Sequence, residues 1–165
     1  MSNMYIRKAI LGLIITLLSG SGALAAADFH KGQNAFYSGD YQTALAELIP
    51  LAEKGHSNAQ HRLAHMYFVG AGVPKDFDTA RDWITKAAVQ ANAEAQVSLG
   101  IWYTTGTVVP QSGLKAYMWF SLAADNGSDA ATKYIKIFED ELSYAEISKA
   151  QKMSSICLES NYTDC

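Results

Sequence analysis

The chain has 165 residues, of which 13 are Lys or Arg and 16 are Asp or Glu, so its net charge is −3. This length suits one domain, and the near balance of charge lacks the basic excess with which nucleic-acid-binding proteins contact phosphates. Only three prolines occur among many alanines, a composition that favours an all-helical protein with no nucleic-acid partner.

The first 25 residues have the order of a secretory signal peptide. Arg7 and Lys8 form a short basic region, residues 9–18 are apolar, and Ala23-Leu24-Ala25 offers small residues for cleavage. The unbroken apolar run is about half of what spans a bilayer. We therefore expect export to the bacterial periplasm or out of the cell, with no stable membrane insertion after cleavage. An uncleaved membrane anchor is the alternative.

Cleavage after Ala25 would leave 11 Lys and Arg against 16 Asp and Glu, a net charge of −5. This acid surplus argues against phosphate-rich partners. Export also permits disulfides, and the two cysteines, Cys157 and Cys165, both lie near the C-terminus. A bond between them would close a small loop and hold the tail, and whether they pair is left open. The redox motif C-x-x-C is absent.

Residues 28–56 are predicted to form a first pair of helices. Asp28 to Ser38 form the first helix, residues 39–41 a tight turn, and an apolar stripe indicates the second. The stripe consists of Ala44, Leu45, Leu48, Leu51 and Ala52. Pro50 lies inside this second helix and is expected to kink it or end it early.

Residues 57–91 and 93–127 contain the same unit twice. At a shift of 36, positions 59–91 give 11 identities over 33 residues, where composition alone gives roughly two. The identical positions are Ala59, Gln60, Leu63, Tyr67, Gly70, Val73, Pro74, Ala80, Trp83, Ala87 and Ala88, with Ala95, Gln96, Leu99, Tyr103, Gly106, Val109, Pro110, Ala116, Trp119, Ala123 and Ala124. A repeat of this length indicates a unit stacked on copies of itself.

Each unit is predicted to contain two helices separated by a turn rich in Gly and Pro. Residues 57–60 have a capping-box pattern for the first helix, and Gly127 is expected to end the second helix of the later copy. Trp83 and Trp119 occupy matched positions, and we expect both to be buried between helices.

Residues 129–153 begin as a third copy and then diverge, because no glycine loop and no Trp follow. Glu139 to Glu141 are predicted to be solvated surface. Residues 143–146 form another capping box, which opens a last helix that should cover the end of the stack. The polar residues 154–165 are predicted to be an irregular tail.

The repeated pattern resembles the Sel-one-like repeat, a relative of the tetratricopeptide repeat. The resemblance lies in Ala59-Gln60, Leu63-Ala64, Tyr67, residues 70–73, Ala80, Trp83 and Ala87-Ala88 and their counterparts in the second copy. The chain departs from it at Val108, where a second loop glycine is expected. The resemblance implies an all-α, right-handed α/α solenoid over residues 26–153, with about eight helices. It also implies a non-enzymatic adaptor or regulatory module of the cell envelope.

In repeats of this kind the first helix of each pair lines the concave side, and the register then predicts a partner-binding groove. The main residues of this row are Phe36, Tyr37, His61, His65, Phe68, Val97, Ile101 and Thr104, extended by Gln33, Val69, Thr105, Lys133 and Ile137. Their composition suits a protein or peptide segment held by apolar anchors at Phe68 and Ile101. The alternative is that tight coiling packs these side chains on one another.

Two patterns suggest chemistry, and both have simpler explanations. His61 and His65 have the i, i+4 spacing of zinc ligands, but no Glu follows His61 and the second copy has Val97 and Ile101 at these positions. We therefore predict no metal and no cofactor.

Residues 112–115 match the S-x-x-K of serine β-lactamases, which makes an envelope hydrolase the alternative function. Ser112 aligns with Asp76, however, so a helix N-cap explains it, and the partner motifs S-D-N and K-T-G are absent.

Overall fold

The computed structural model describes residues 27–165, which are helical without any β-strand in that range. The helices are α1 (Phe29–Ser38), α2 (Tyr41–Glu53), α3 (Ser57–Val69), α4 (Phe77–Ala88), α5 (Ala93–Thr105), α6 (Gly113–Asp125), α7 (Asp129–Glu141) and α8 (Tyr144–Glu159). The all-α repeat fold is thus confirmed, while the predicted signal peptide lies outside the described residues. Within 27–165, each helix is too short or too polar to cross a membrane.

The helices form a stack in which each packs on its neighbours in sequence, from α1 through α7. The last helix, α8, leaves this order and packs mainly on α6. Three clusters of buried side chains follow the stack: one between the first two pairs, one from α3 to α6, and one from α6 to α8. Each repeat therefore buries its apolar face only against adjacent units, as in other solenoids.

A buried glutamine links each repeat to the one before it. Gln60 Nε2 donates to the carbonyl of Ala52 at 2.9 Å, and Gln96 Nε2 donates to that of Ala88 at 3.0 Å. Both glutamines are at most 4% exposed. Ala52 and Ala88 lie in the last turns of α2 and α4, and each glutamine adds a second hydrogen bond to a carbonyl that also accepts the N–H of Gly55 or Ala91.

Two predictions about helix ends concern α2 and α3. Of the two outcomes predicted for Pro50, a kink or an early end, the early end is wrong, because α2 continues through Pro50 to Glu53. Residues 57–60 are not a capping box, because His56 is the N-cap of α3 and its Nδ1 accepts the N–H of Ala59 at 3.3 Å. The side chain of Gln60 is unavailable for capping since it is buried against α2.

The matched tryptophans differ in burial, which corrects the prediction that both are buried. Trp119 is 4% exposed, whereas Trp83 is half-buried and carries the ammonium of Lys86 4.2 Å from its ring centroid. The helix that bears Trp119, α6, is covered by α5, α7 and α8, whereas α4 packs mainly on α3 and α5. The next residue, Ile84, is fully buried in α4.

The prediction of an irregular tail at residues 154–165 is wrong over its first half. The helix α8 continues to Glu159, and Cys157 is fully buried against the cluster between α3 and α6. The capping box that starts this helix is confirmed, since Glu146 N donates to Ser143 Oγ and Ser143 N donates to Glu146 Oε2. After the helix the chain turns back, and Cys157 and Cys165 form a disulfide with their Cα atoms 4.8 Å apart.

Candidate functional site

The first helices α1, α3 and α5 share a surface through side-chain contacts between repeats. Between α1 and α3, the rings of Phe36 and His65 meet edge to face at 5.5 Å. Arg62 Cζ lies 5.0 Å from the ring centroid of Phe36 and 5.1 Å from that of Tyr37, and Arg62 Nη2 donates to the Tyr37 hydroxyl at 3.1 Å. We call this the first-helix surface.

Between α3 and α5 the same surface has a small cavity of about 100 Å³. The rings of Phe68 and Trp102 stack beside it at 5.4 Å, and His61 Nε2 lies 3.3 Å from Ser98 Oγ. The lining residues are His61, His65, Phe68, Ile84, Ser98, Ile101 and Trp102.

The structure brings part of the predicted row together. His61, His65, Phe68 and Ile101 line the cavity, and Phe36 and Tyr37 make the contact between α1 and α3. Val97 and Ile101 also pack against the cluster between α6 and α8, and Thr104 Oγ1 donates to the Gly100 carbonyl of its own helix at 2.9 Å. The side chains thus pack on one another and still leave a cavity, so features of both alternatives are present.

Three residues of the cavity were not in the predicted row: Ile84, Ser98 and Trp102. Ser98 and Trp102 each follow a predicted position on α5, so a wider stripe on that helix would have included them. Ile84 belongs to the second helix of its pair, and it reaches the cavity only because α3 and α5 leave a gap over it. The row also has members exposed to solvent, such as Tyr37 at 68% and Val69 at 48%.

The electrostatics of this surface centre on His61 and Arg62. The hydroxyl of Ser98 donates to the carbonyl of Glu94 at 2.9 Å and lies 3.3 Å from His61 Nε2. Burial lowers the pKa of His61, and this exceeds the opposing effect of the Glu94 carboxylate, 3.3 Å from Nδ1. His61 is therefore mainly neutral at pH 7.

Arg62 has a different environment, in which aromatic rings replace a counter-ion. Its Nε is buried and has no hydrogen-bond partner among the described residues. No carboxylate of residues 27–165 lies within 4.0 Å of its guanidinium. Its positive charge is therefore balanced only by the faces of two aromatic rings, which attract cations weakly at exposed sites.

The patterns that suggested chemistry have structural roles. The hydroxyl of Ser112 accepts the N–H of Lys115 at 3.3 Å and caps α6, which confirms the N-cap interpretation. The ammonium of Lys115 lies 5.3 Å from the ring centroid of Tyr103, and in the described part of the chain no side chain is placed to activate the serine as a base. Residues 27–165 contain no group of three His, Cys, Asp or Glu side chains arranged to hold a metal.

Comparison with known proteins places the repeats in a family. Residues 57–92 and 93–128 match the Sel1 repeat. The chain is similar to c5321, a protective antigen of uropathogenic Escherichia coli strains with an SLR fold, at 29% identity and a TM-score of 0.72, over 79% of this chain and 30% of that one. It is also similar to a Sel1 repeat protein from Oxalobacter formigenes, at 28% identity and a TM-score of 0.61, over 66% of this chain and 44% of that one. The chain thus spans less than half of either structure, and no curated protein matches it significantly.

Proposed function

Since this chain carries two Sel1 repeats, units that generally serve protein–protein interaction, we propose that it is an exported, non-enzymatic adaptor that binds a partner segment on the first-helix surface. The observation that carries this proposal is the combination on that surface of exposed aromatic rings, an apolar cavity and an arginine without a counter-ion. Interfaces gain most of their energy from such anchors, among which aromatic residues and Arg are enriched.

The size of the cavity suggests how a partner would be held. A dry cavity of about 150 Å³ accommodates benzene, so one of about 100 Å³ has room for a single aliphatic side chain. Arg62, one turn from His65 on α3, can donate hydrogen bonds to an acidic group on the same segment. We propose an extended or helical partner segment that has an aliphatic anchor and an acidic residue.

Ile101 is the best position to test this binding mode. Phe68 is less suitable, because its ring stacks on that of Trp102 and lies tilted against that of Phe77, so a polar replacement would disturb the core. Ile101→Phe should fill the cavity while keeping the apolar packing of α5. The matched control is Ile156→Ala on α8, where the side chain is 42% exposed outside the first-helix surface.

The experiment selects ligands from a displayed random-peptide library with the purified chain. Peptides that bind the wild type should lose at least tenfold in affinity for Ile101→Phe and retain it for Ile156→Ala, with equal melting temperatures for all three proteins. The selected peptides should combine an aliphatic and an acidic residue. Binding that is insensitive to Ile101→Phe would place the partner on another surface and contradict the proposal.

Export is tested separately from binding. The proposal rests on the order of residues in the first 25 positions and on the cysteine pair, which suits an oxidising compartment such as the bacterial periplasm. The intact mass of the exported protein should match a chain that starts at Ala26 or within about two residues of it. A full-length chain recovered from membranes would show that the segment is an anchor.

A further inference from the structure

A second cavity, of about 310 Å³, lies between α4, α5, α6 and residues 162–165. We call it the C-terminal cavity. It shares no lining residue with the cavity of the first-helix surface, and its volume is at the lower limit of small-molecule sites. The residues that matter for its chemistry are Arg81, Tyr103, Lys115, Trp119, Tyr162 and Cys165.

The charged side chains of this cavity are both cationic, although the chain beyond residue 25 has a net charge of −5 (11 basic minus 16 acidic residues). Arg81 is already engaged, because its Nη1 lies 2.8 Å from Asp78 Oδ1. Lys115 has no carboxylate within 4.0 Å among residues 27–165, and its ammonium rests near the ring of Tyr103. Lys115 is thus a cation available to an anionic ligand.

Aromatic rings provide the walls around this cation. Trp119 presents part of its ring to the cavity although it is almost fully buried, and Tyr162 lines the same cavity from the C-terminal segment. The hydroxyl of Tyr162 accepts Asn126 Nδ2 at 2.9 Å, which holds the ring in place. Flat aromatic walls favour a ligand that has a planar apolar part.

The wall formed by Tyr162 depends on how the chain turns back after α8. Asn161 and Tyr162 have φ angles of 53° and 66°, in the left-handed region that residues other than glycine seldom adopt. Tyr162 N donates to the Cys157 carbonyl at 2.7 Å, and the disulfide to Cys165 closes the turn. The disulfide therefore helps to keep one wall of the cavity in position.

We propose that the C-terminal cavity binds a small carboxylate with an aromatic ring, whose carboxylate contacts Lys115 and whose ring lies between Trp119 and Tyr162, and that the Cys157–Cys165 bond maintains this site. The proposal is independent of the adaptor function, because it concerns different lining residues and a different kind of ligand.

Phenylacetate is the probe, and 2-phenylethanol is its neutral counterpart of similar size. Isothermal titration should show millimolar or tighter binding of phenylacetate and at least tenfold weaker binding of 2-phenylethanol, because only the anion forms a charge-assisted contact. Lys115→Met should reduce phenylacetate affinity about tenfold or more and leave 2-phenylethanol unchanged. The control Lys136→Met, on the exposed side of α7, should bind like the wild type.

Two variants test the wall. Tyr162→Ala should weaken the binding of both probes while the disulfide remains. Cys165→Ser should weaken the binding of both probes by releasing the C-terminal segment. Melting temperatures confirm that both variants are folded. The proposal is overturned if phenylacetate does not bind, if Lys115→Met binds it normally, or if both probes bind equally. Unchanged binding by a folded Cys165→Ser variant would refute the role of the disulfide.

Discussion

At two matched positions, the two repeats have residues of different size. The second repeat has a smaller residue on its first helix and a larger one on its second. At the shift of 36, Ala64 and Ile84 in one repeat correspond to Gly100 and Phe120 in the next, and all four residues are buried. A Cβ atom on Gly100 would lie 2.5 Å from Phe120 Cε1, with two more ring atoms within 2.8 Å. The smaller residue on α5 therefore makes room for the larger one on α6.

Gly100→Ala should destabilise the protein even though alanine favours helices. Ordinary contact begins at 3.4 Å, so the ring would have to retreat by 0.9 Å (3.4 minus 2.5). Its neighbours restrict that movement, because Tyr134 stacks on it at 4.5 Å and Phe138 lies 5.9 Å away. Overpacking costs about 1–3 kcal/mol and the helix propensity of Ala returns about 1 kcal/mol, so we expect a net loss of about 1 kcal/mol.

A double-mutant cycle isolates this contact. Phe120→Ile alone leaves space beside Gly100 and should cost about 1–3 kcal/mol. Combining it with Gly100→Ala reproduces the Ala64–Ile84 pair, and the two changes should couple favourably by about 1–2 kcal/mol, as residues in contact do. Urea unfolding followed by circular dichroism measures all four free energies. If Gly100→Ala raised the stability, or if the two changes were additive within about 0.5 kcal/mol, the steric explanation would be wrong.

Three further predictions concern the core and the cavity. Trp119→Ala should cost about 3–5 kcal/mol, and Trp83→Ala less than about 3 kcal/mol because its side chain is only partly buried; equal losses in urea unfolding would contradict the difference in burial. Gln96→Ala should cost about 1–3 kcal/mol, since it removes two hydrogen bonds, from Gln96 Nε2 to the Ala88 carbonyl and from Asn126 Nδ2 to Gln96 Oε1, and an unchanged unfolding midpoint would refute this. Burial lowers the pKa of His61 below its usual 6.5, so the imidazole binds a proton more tightly in the unfolded chain than in the folded one. The free energy of unfolding should therefore decrease as the pH falls below about 6.5, and it should decrease less in His61→Gln; equal pH profiles would exclude this role.

The candidate site shows which of its features the repeat register can predict. The register placed His61, His65 and Phe68 on one side of α3, because residues at i, i+4 and i+7 of a helix share a side, and these three line one cavity with Ile101. It could not show how much space remains on that face, since this depends on the distance between α3 and α5. Ile84 joins the cavity from another helix, and a pattern within a single helix contains no information about such a contact.

The C-terminal cavity shows a second feature that the sequence could not predict, a site formed by residues far apart in the chain. Its walls come from residues as distant as Arg81 and Cys165, and no local pattern connects them. The sequence indicated the two cysteines and the small loop that they would close. It did not indicate that this loop covers α6, because the polar composition of residues 154–165 resembles that of a free tail.

The sequence by itself determined the helices and their order of stacking. The 36-residue period, the glycine turns and caps such as Asp76 and Ser112 act within a few residues, so their effect does not depend on distant packing. Only the tertiary structure decided which of two equivalent residues is buried. Trp119 is almost fully buried and Trp83 only partly, because α8 packs on α6 and brings Cys157 into the core. Equivalent residues of the two repeats therefore have different surroundings, since the last unit has different neighbours from the units before it.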